Sequence, residues 1–128
     1  MNIIRTIGHS NRAFSEYLKI LKDNDVDVIV DIRTFPRSRF CPHFNRKKLE
    51  ENLSLEGIEY QFKGNNLGGL GENENYEETI DQLVDQVKQG KRVCVMCSEK
   101  DYKKCHRYEM LTPSFEERGI EVKHIGYE

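Results

Sequence analysis

The segment Val26-Asp27-Val28-Ile29-Val30-Asp31-Ile32 decides the fold. It is mostly apolar and rich in β-branched residues, the composition of a strand covered on both faces by helices. A central place in a parallel sheet is expected for it. Upstream, Ile3 to Ile7 is a short apolar run ended by Gly8, and Phe14, Tyr17, Leu18 and Leu21 recur at helical spacing up to Asn24, which reads as strand then helix. Downstream, Arg33 to Phe44 is irregular and holds Pro36 and Pro42. Asn45 then offers an N-cap, and Leu49 and Leu53 carry a helix to about Leu55 before Gly57 stops it. Ile58, Tyr60 and Phe62 alternate as a third, more exposed strand.

Gly64, Gly68, Gly69 and Gly71 mark a turn-forming loop, after which Ile80, Leu83, Val84 and Val87 give a helix closed by Gly90. Arg92 to Met96 is the fourth strand. The last helix is expected over about Tyr102 to Arg118, with a break where Thr112 and Pro113 look like an N-cap and a first-turn proline. Glu121 to Ile125 closes the series as the fifth strand. Strict alternation of this kind predicts an α/β fold, a three-layer, mostly parallel five-stranded sheet with helices on both faces, because parallel neighbours need long crossovers. Flavodoxin-like and rhodanese-like strand orders both fit.

The chain has 128 residues, enough for one compact domain whose core needs neither disulfides nor a structural metal. Twenty Lys and Arg against 22 Asp and Glu leave a formal charge of −2, so attraction to an anionic partner must come from local clustering. No apolar run has signal-peptide or membrane-span length, which points to a cytoplasmic protein with no membrane partner. In that setting the four cysteines, Cys41, Cys94, Cys97 and Cys105, are expected as reduced thiols.

Ligands of parallel α/β sheets bind outside the carboxyl ends of the strands. Gly8, His9, Ser10 and Asn11 follow the first strand, Asp31 and Arg33 end the second, and Cys97, Ser98 and Glu99 follow the fourth. His9, Asp31, Arg33, Cys97 and Glu99 are therefore expected on one rim whatever the strand order. Each also has a plain structural reading: Asp31 and Arg33 as partners of neighbouring charges, His9 as a turn residue, Cys97 as a small buried side chain. It is their convergence that suggests a site.

Charge is segregated along the chain. From Arg33 to Lys48 there are six basic residues (Arg33, Arg37, Arg39, Arg46, Lys47, Lys48) and no acidic one, with Phe35, Phe40 and Phe44 interleaved. Guanidinium forks suit phosphate and aromatic rings suit bases, so a nucleotide or nucleic-acid phosphate is the expected ligand. The alternative is a solvated basic helix face with the three Phe side chains tucking the loop onto the core. Glu72 to Asp85 carries six acidic residues and no basic one, which favours the dipole of the third helix or pairs with the basic segment, within the chain or across a dimer.

Cys97 sits between a strand and a helix, a position that can activate a thiol nucleophile, with His9 or His106 as base. The segment from Cys97 to Arg107 nevertheless lacks glycine and contains Glu99 and Asp101, unlike a cradle for a bound anion. A metal alternative uses Cys97, Cys105 and His106 with Cys41, His43 or His9, although the spacing is not that of a zinc knuckle. A structural alternative places His106 and Arg107 against Glu99 or Asp31. Cys94, in mid-strand, is assigned to the core.

Thr6-Ile7-Gly8-His9-Ser10, Val30-Asp31-Ile32-Arg33 with Pro36 and Ser38, Tyr60 with Leu67-Gly68-Gly69, Cys97-Ser98-Glu99, Cys105-His106-Arg107 and Val122-Lys123-His124-Ile125 together resemble the domain of unknown function 488 family. The resemblance spans almost the whole chain. It is close at His9, Asp31, Arg33, Glu99, His106 and Arg107 and looser between Arg37 and Phe44, where Cys41 and His43 look peculiar to this chain. It implies an α/β domain and strengthens the rim site without naming a reaction or a cofactor. The expected anion contacts are Arg33, Arg107, Arg37, Arg39 and Ser10, supported by Asp31, Glu99, Asn11, Gly68 and Gly69. The rival readings are a thiol enzyme built on Cys97, a metal site, and a protein-interaction module.

Overall fold

A computed structural model describes residues 2–68, 73–99, 101, 105 and 107–126; of Arg107 and Tyr108 it describes the backbone. The chain runs β1 (Ile3–Gly8), α1 (Phe14–Asp23), β2 (Val28–Asp31), a 3-10 turn (Pro42–Phe44), α2 (Arg46–Leu55), β3 (Glu59–Phe62), a single helical turn α3 (Gly64–Leu67), α4 (Tyr76–Lys88) and β4 (Val93–Cys97). A wide π-type turn (Arg107–Leu111), α5 (Thr112–Glu116) and β5 (Glu121–His124) complete it.

The five strands form one sheet in the order β3-β2-β4-β1-β5. All four pairings are parallel. The fold is therefore α/β, as the alternation of elements predicts. Its order is not the 2-1-3-4-5 of flavodoxins, because β4 inserts between β1 and β2. The middle of the sheet belongs to β4, not β2: all five β4 residues are buried, and β4 is hydrogen-bonded to β2 from Val28↔Val93 to Asp31↔Met96 and to β1 from Arg5↔Cys94 to Gly8↔Cys97. Two equally apolar strands look alike in sequence, since periodicity reports coverage of the faces and not which strand lies alongside. The edges β3 and β5 are the half-exposed ones.

Side-chain alternation divides the core in two. One face packs Ile7, Ile29, Cys94 and Met96 against Tyr17 and Leu21 of α1 and Leu49 and Leu53 of α2. The other packs Ile4, Val28, Val30, Val93, Val95 and Cys97 against Ile80, Leu83, Val84 and Val87 of α4 and Phe115 of α5. Helices thus cover both faces. The chain leaves β1 and β2 toward the β3 edge and leaves β4 toward the β5 edge, so the topological switch lies where the carboxyl end of β4 meets those of β1 and β2.

Local chemistry departs from expectation at three places. Asn45 precedes α2 but makes no side-chain cap; its Oδ1 accepts the Ser38 N–H at 2.6 Å and ties down the preceding loop. Thr112 is the first residue of α5 and not its cap, and its hydroxyl lies 3.4 Å from His124 Nε2. The helix expected from Tyr102 begins, among the described residues, with the wide turn at Arg107, and Pro113 at the start of α5 accounts for the change of winding, since it has no N–H to continue the ladder.

The glycine segment after β3 holds α3 because nothing larger fits. A Cβ on Gly64 would stand 2.1 Å from the Arg33 carbonyl oxygen, and one on Gly68 would stand 2.3 Å from both the Gly64 carbonyl and Thr34 Oγ1. Gly64→Ala is expected to cost about 1–3 kcal/mol, because backbone must yield to admit the methyl group. A urea midpoint equal to that of the wild type would contradict the close approach.

Candidate functional site

The rim is built by residues that leave the strand ends. The ladder between β1 and β4 continues past both strands: the His9 N–H donates to the Cys97 carbonyl at 2.9 Å and the Ser10 N–H to the Ser98 carbonyl at 3.0 Å. Ser10 adopts φ 54°, a left-handed conformation uncommon outside glycine. On β2, Asp31 points to the α1/α2 face, two residues beyond Ile29, and Arg33 returns to that face two residues later.

There they close on each other. Arg33 Nε donates to Asp31 Oδ1 at 2.9 Å and Nη2 to Oδ2 at 2.8 Å, a bidentate pair, and the Arg33 backbone N–H adds a bond to Oδ1 at 3.1 Å. Tyr60 of β3 donates its hydroxyl to Oδ2 at 2.6 Å. Asp31 is 0% exposed and Arg33 7% exposed. The remaining nitrogen of the fork, Arg33 Nη1, lies 3.4 Å from His9 Nε2. His9 Nδ1 is 2.7 Å from the Ser10 carbonyl, which can only accept, so Nδ1 carries the proton and the Nε2 lone pair faces the guanidinium. The imidazole is stacked on Phe44, with centroids 4.4 Å apart and planes at 26°.

Burial and charge set the protonation states. Burial lowers the His9 pKa to about 4, the neighbouring Arg33 charge pushes the same way, and the bond to Ser10 opposes them; His9 is neutral near pH 7. Burial alone would depress Arg33, but its hydrogen bonds and proximity to Asp31 outweigh that and hold it above its ordinary value. Burial first, then the Asp31 charge, raises Tyr60, so its hydroxyl stays protonated and donates. The cluster is charge-balanced and directed inward.

Cys97 is elsewhere. It occupies the opposite face of the sheet from His9, packed with Val93 and Val95 in the α4/α5 core, and its S–H points toward the Glu99 carbonyl at 3.6 Å. A neutral imidazole on the far face, with Nε2 turned to Arg33, is not arranged as the base for this thiol. Instead the Cys97 sulfur meets Cys105, with 2.9 Å between the two Sγ atoms.

The other expected residues scatter. Ser10 and Asn11 sit at the end of β1, where the Ser10 hydroxyl faces Asn11 Oδ1 at 3.4 Å, and Gly68 is the tight residue after α3. Glu99 is exposed, as are Arg37 and Arg39. His106, Gly69 and the Arg107 side chain lie outside the described residues. The three Phe residues of the basic segment part company: Phe44 is fully buried between His9 and His43, whereas Phe35 is 72% and Phe40 90% exposed. Among the described residues no group of three or more His, Cys, Asp or Glu side chains is placed to hold a metal.

A second feature lies on the outer side of the rim. Phe35, Pro36 and Arg37 of the loop after β2 and Asn45, Arg46 and Lys47 at the start of α2 line an open groove of about 600 Å³. The Arg46 guanidinium lies over the Phe62 ring at 4.2 Å, which anchors one wall to the end of β3. The site residue that sequence reasoning missed is Tyr60. Its signal is its register: Tyr60 pairs with Ile29 in the β2–β3 ladder, and Ile29 and Asp31 share a face.

A family model described as domain of unknown function DUF488 matches residues 13–75 and 69–111. The chain belongs to that family. Asp31, Arg33, Tyr60 and Cys97 all fall inside the matched part of this DUF488 chain, and His9 precedes it. No curated protein and no solved structure matches. No helix among the described residues is long and apolar enough to cross a membrane.

Proposed function

We propose that the protein binds the phosphate of a nucleotide or nucleic acid in the groove between the loop after β2 and the start of α2. The observation that carries this reading is the pairing of an unburied aromatic ring with cations along one groove: Phe35 beside Arg37, Arg46 and Lys47. An exposed ring at that place gains nothing from the core, but it offers a stacking surface for a base while the neighbouring cations take the backbone. The start of α2 points the same way. Its first turn is Arg46-Lys47-Lys48 with no acidic residue, cations placed at the positive end of a helix dipole, an arrangement that a bound anion relieves. Arg33 then serves as the buried brace of the loop rather than as the anion contact, since its fork is directed to Asp31 and His9.

The test is fluorescence anisotropy with a labelled single-stranded oligonucleotide across a salt series. Binding is expected at low salt and should weaken steeply as salt rises. Arg37→Ala and Lys47→Ala should each reduce the log–log slope by about 0.7, and Phe35→Ala should weaken binding by about 1–3 kcal/mol at constant slope. Competition by a nucleoside triphosphate distinguishes a nucleotide site from one that needs a chain. An absence of binding at low salt, or variants that bind as the wild type does, overturns the reading.

A further inference from the structure

The cysteines form a second centre that the groove does not use. All four are thiols, but they are divided by the sheet: Cys41 and Cys94 lie in the α1/α2 core, Cys97 and Cys105 on the α4/α5 side. Cys97 is at the carboxyl end of the central strand, 4% exposed. Cys105 is half-buried and packs against the same apolar cluster from the segment that follows. Their sulfurs are 2.9 Å apart, so a bond of the usual length, about 2.05 Å, needs an approach of only about 0.9 Å. Cys105 is the more accessible of the two and can meet an external reagent, and the buried Cys97 has its sulfur within reach of Cys105.

We propose that Cys97 and Cys105 are a redox-active dithiol that exchanges with small disulfides, Cys105 making first contact and Cys97 resolving the adduct. In the first step the Cys105 thiolate attacks one sulfur of a disulfide RSSR, forming a Cys105–SR bond and releasing RS⁻, which takes up a proton. In the second step the Cys97 thiolate attacks the Cys105 sulfur, the Cys97–Cys105 bond forms, and the second RS⁻ leaves. The protein loses two electrons and two protons, and RSSR becomes two RSH. The reverse sequence, with a thiol as reductant, restores the pair. Burial of Cys97 prevents it from holding a mixed disulfide of its own, which makes the order of the two steps a consequence of the packing.

The experiment treats the full-length protein with oxidised glutathione, quenches with acid, blocks remaining thiols with N-ethylmaleimide and maps tryptic peptides by mass spectrometry. Lys100, Lys103 and Lys104 lie between the two cysteines, so cleavage leaves their peptides joined only through sulfur. The wild type is expected to fall from four thiols to two, with Cys97 linked to Cys105, fragment ions excluding Cys94, and no glutathione retained. Cys97→Ser should trap glutathione on Cys105, and Cys105→Ser should slow the loss of the Cys97 thiol at least about tenfold. Four intact thiols in the wild type, a lasting glutathione adduct on wild-type Cys105, or a bridge through Cys41 or Cys94 overturns the proposal. The wild-type result stands alone should either variant fold poorly. Because oligonucleotide is absent throughout, the outcome is independent of whether the groove binds phosphate.

Discussion

Asp31→Ala is expected to lower the free energy of unfolding by about 3–5 kcal/mol. The carboxylate accepts two side-chain bonds and one backbone bond from Arg33 and one bond from Tyr60, all within a fully buried site. Removing it strands a guanidinium that is 7% exposed and leaves the Tyr60 hydroxyl without its acceptor. The cost is that of an uncompensated buried charge and not the net value of the ion pair, whose desolvation offsets much of its Coulomb attraction. A double variant makes the distinction. Asp31→Leu combined with Arg33→Met should recover most of the lost stability, because an apolar pair of similar volume has no charge to desolvate. Tyr60→Phe removes one bond to a charged acceptor and should cost about 1.5–3 kcal/mol. Urea unfolding of the four proteins measures these differences. A loss below about 1 kcal/mol for Asp31→Ala would mean that the Arg33 fork reaches water and that the cluster is not the closed unit described above.

The second large effect is a dependence of stability on pH that belongs to His9. Its pKa is about 4 in the folded protein, depressed chiefly by burial, against about 6.5 in the unfolded chain. Above pH 6.5 the ring is neutral in both states and stability is fully present. Between pH 6.5 and 4 the unfolded chain takes up a proton that the folded protein refuses, so stability falls with pH and the loss reaches about 3 kcal/mol near pH 4. A comparison isolates the share that belongs to His9. Between pH 7 and pH 4 the wild type should lose about 3 kcal/mol more than His9→Gln. Parallel profiles for the two proteins would place the imidazole in contact with solvent rather than between Phe44 and Arg33.

The two effects have a common origin. Asp31 holds Arg33, Arg33 faces the lone pair of His9, and His9 continues the β1 ladder to the end of β4. This chain of contacts spans the carboxyl ends of β2, β1 and β4, where the topological switch of the sheet lies. It lies on the rim where ligands of parallel sheets are usually found. The loop that carries Phe35 and Arg37 into the groove begins directly after this cluster.

Some of this is legible from residues in order along the chain. The apolar runs at Val26 to Ile32 and Arg92 to Met96, alternating with helical periods, fix an α/β fold with a parallel sheet, because hydrophobic period and crossover length are local properties. The rim is legible for the same reason: a residue just past a strand must lie at that strand's carboxyl end. Neighbourhood is not local. Nothing in the pattern of β4 distinguishes a middle strand from one nearer the edge, and the strand order follows from how all the faces are buried together.

Face was the decisive omission within the site. His9, Asp31 and Arg33 share one side of the sheet and Cys97 takes the other, so His9 is not placed as the base for this thiol although both residues sit on the rim; His106, the other imidazole considered, lies outside the described residues. Alternation along a strand gives the relative facing of Cys94 and Cys97, but only the sheet's assembly says which helices each face meets. The three phenylalanines of the basic segment illustrate the same limit. They are chemically identical and close in sequence, yet Phe44 fills the core while Phe35 and Phe40 stand in solvent.

The sequence by itself determined the elements, the class of fold and the edge on which polar chemistry collects, because each depends on residues within one or two turns or strands of each other. Tertiary structure alone decided that Tyr60 completes the Asp31 and Arg33 pair, that Cys97 meets Cys105, and that a groove opens beside Phe35. Those are contacts between segments whose separation in the chain is closed only when the sheet forms and its two faces are buried at once.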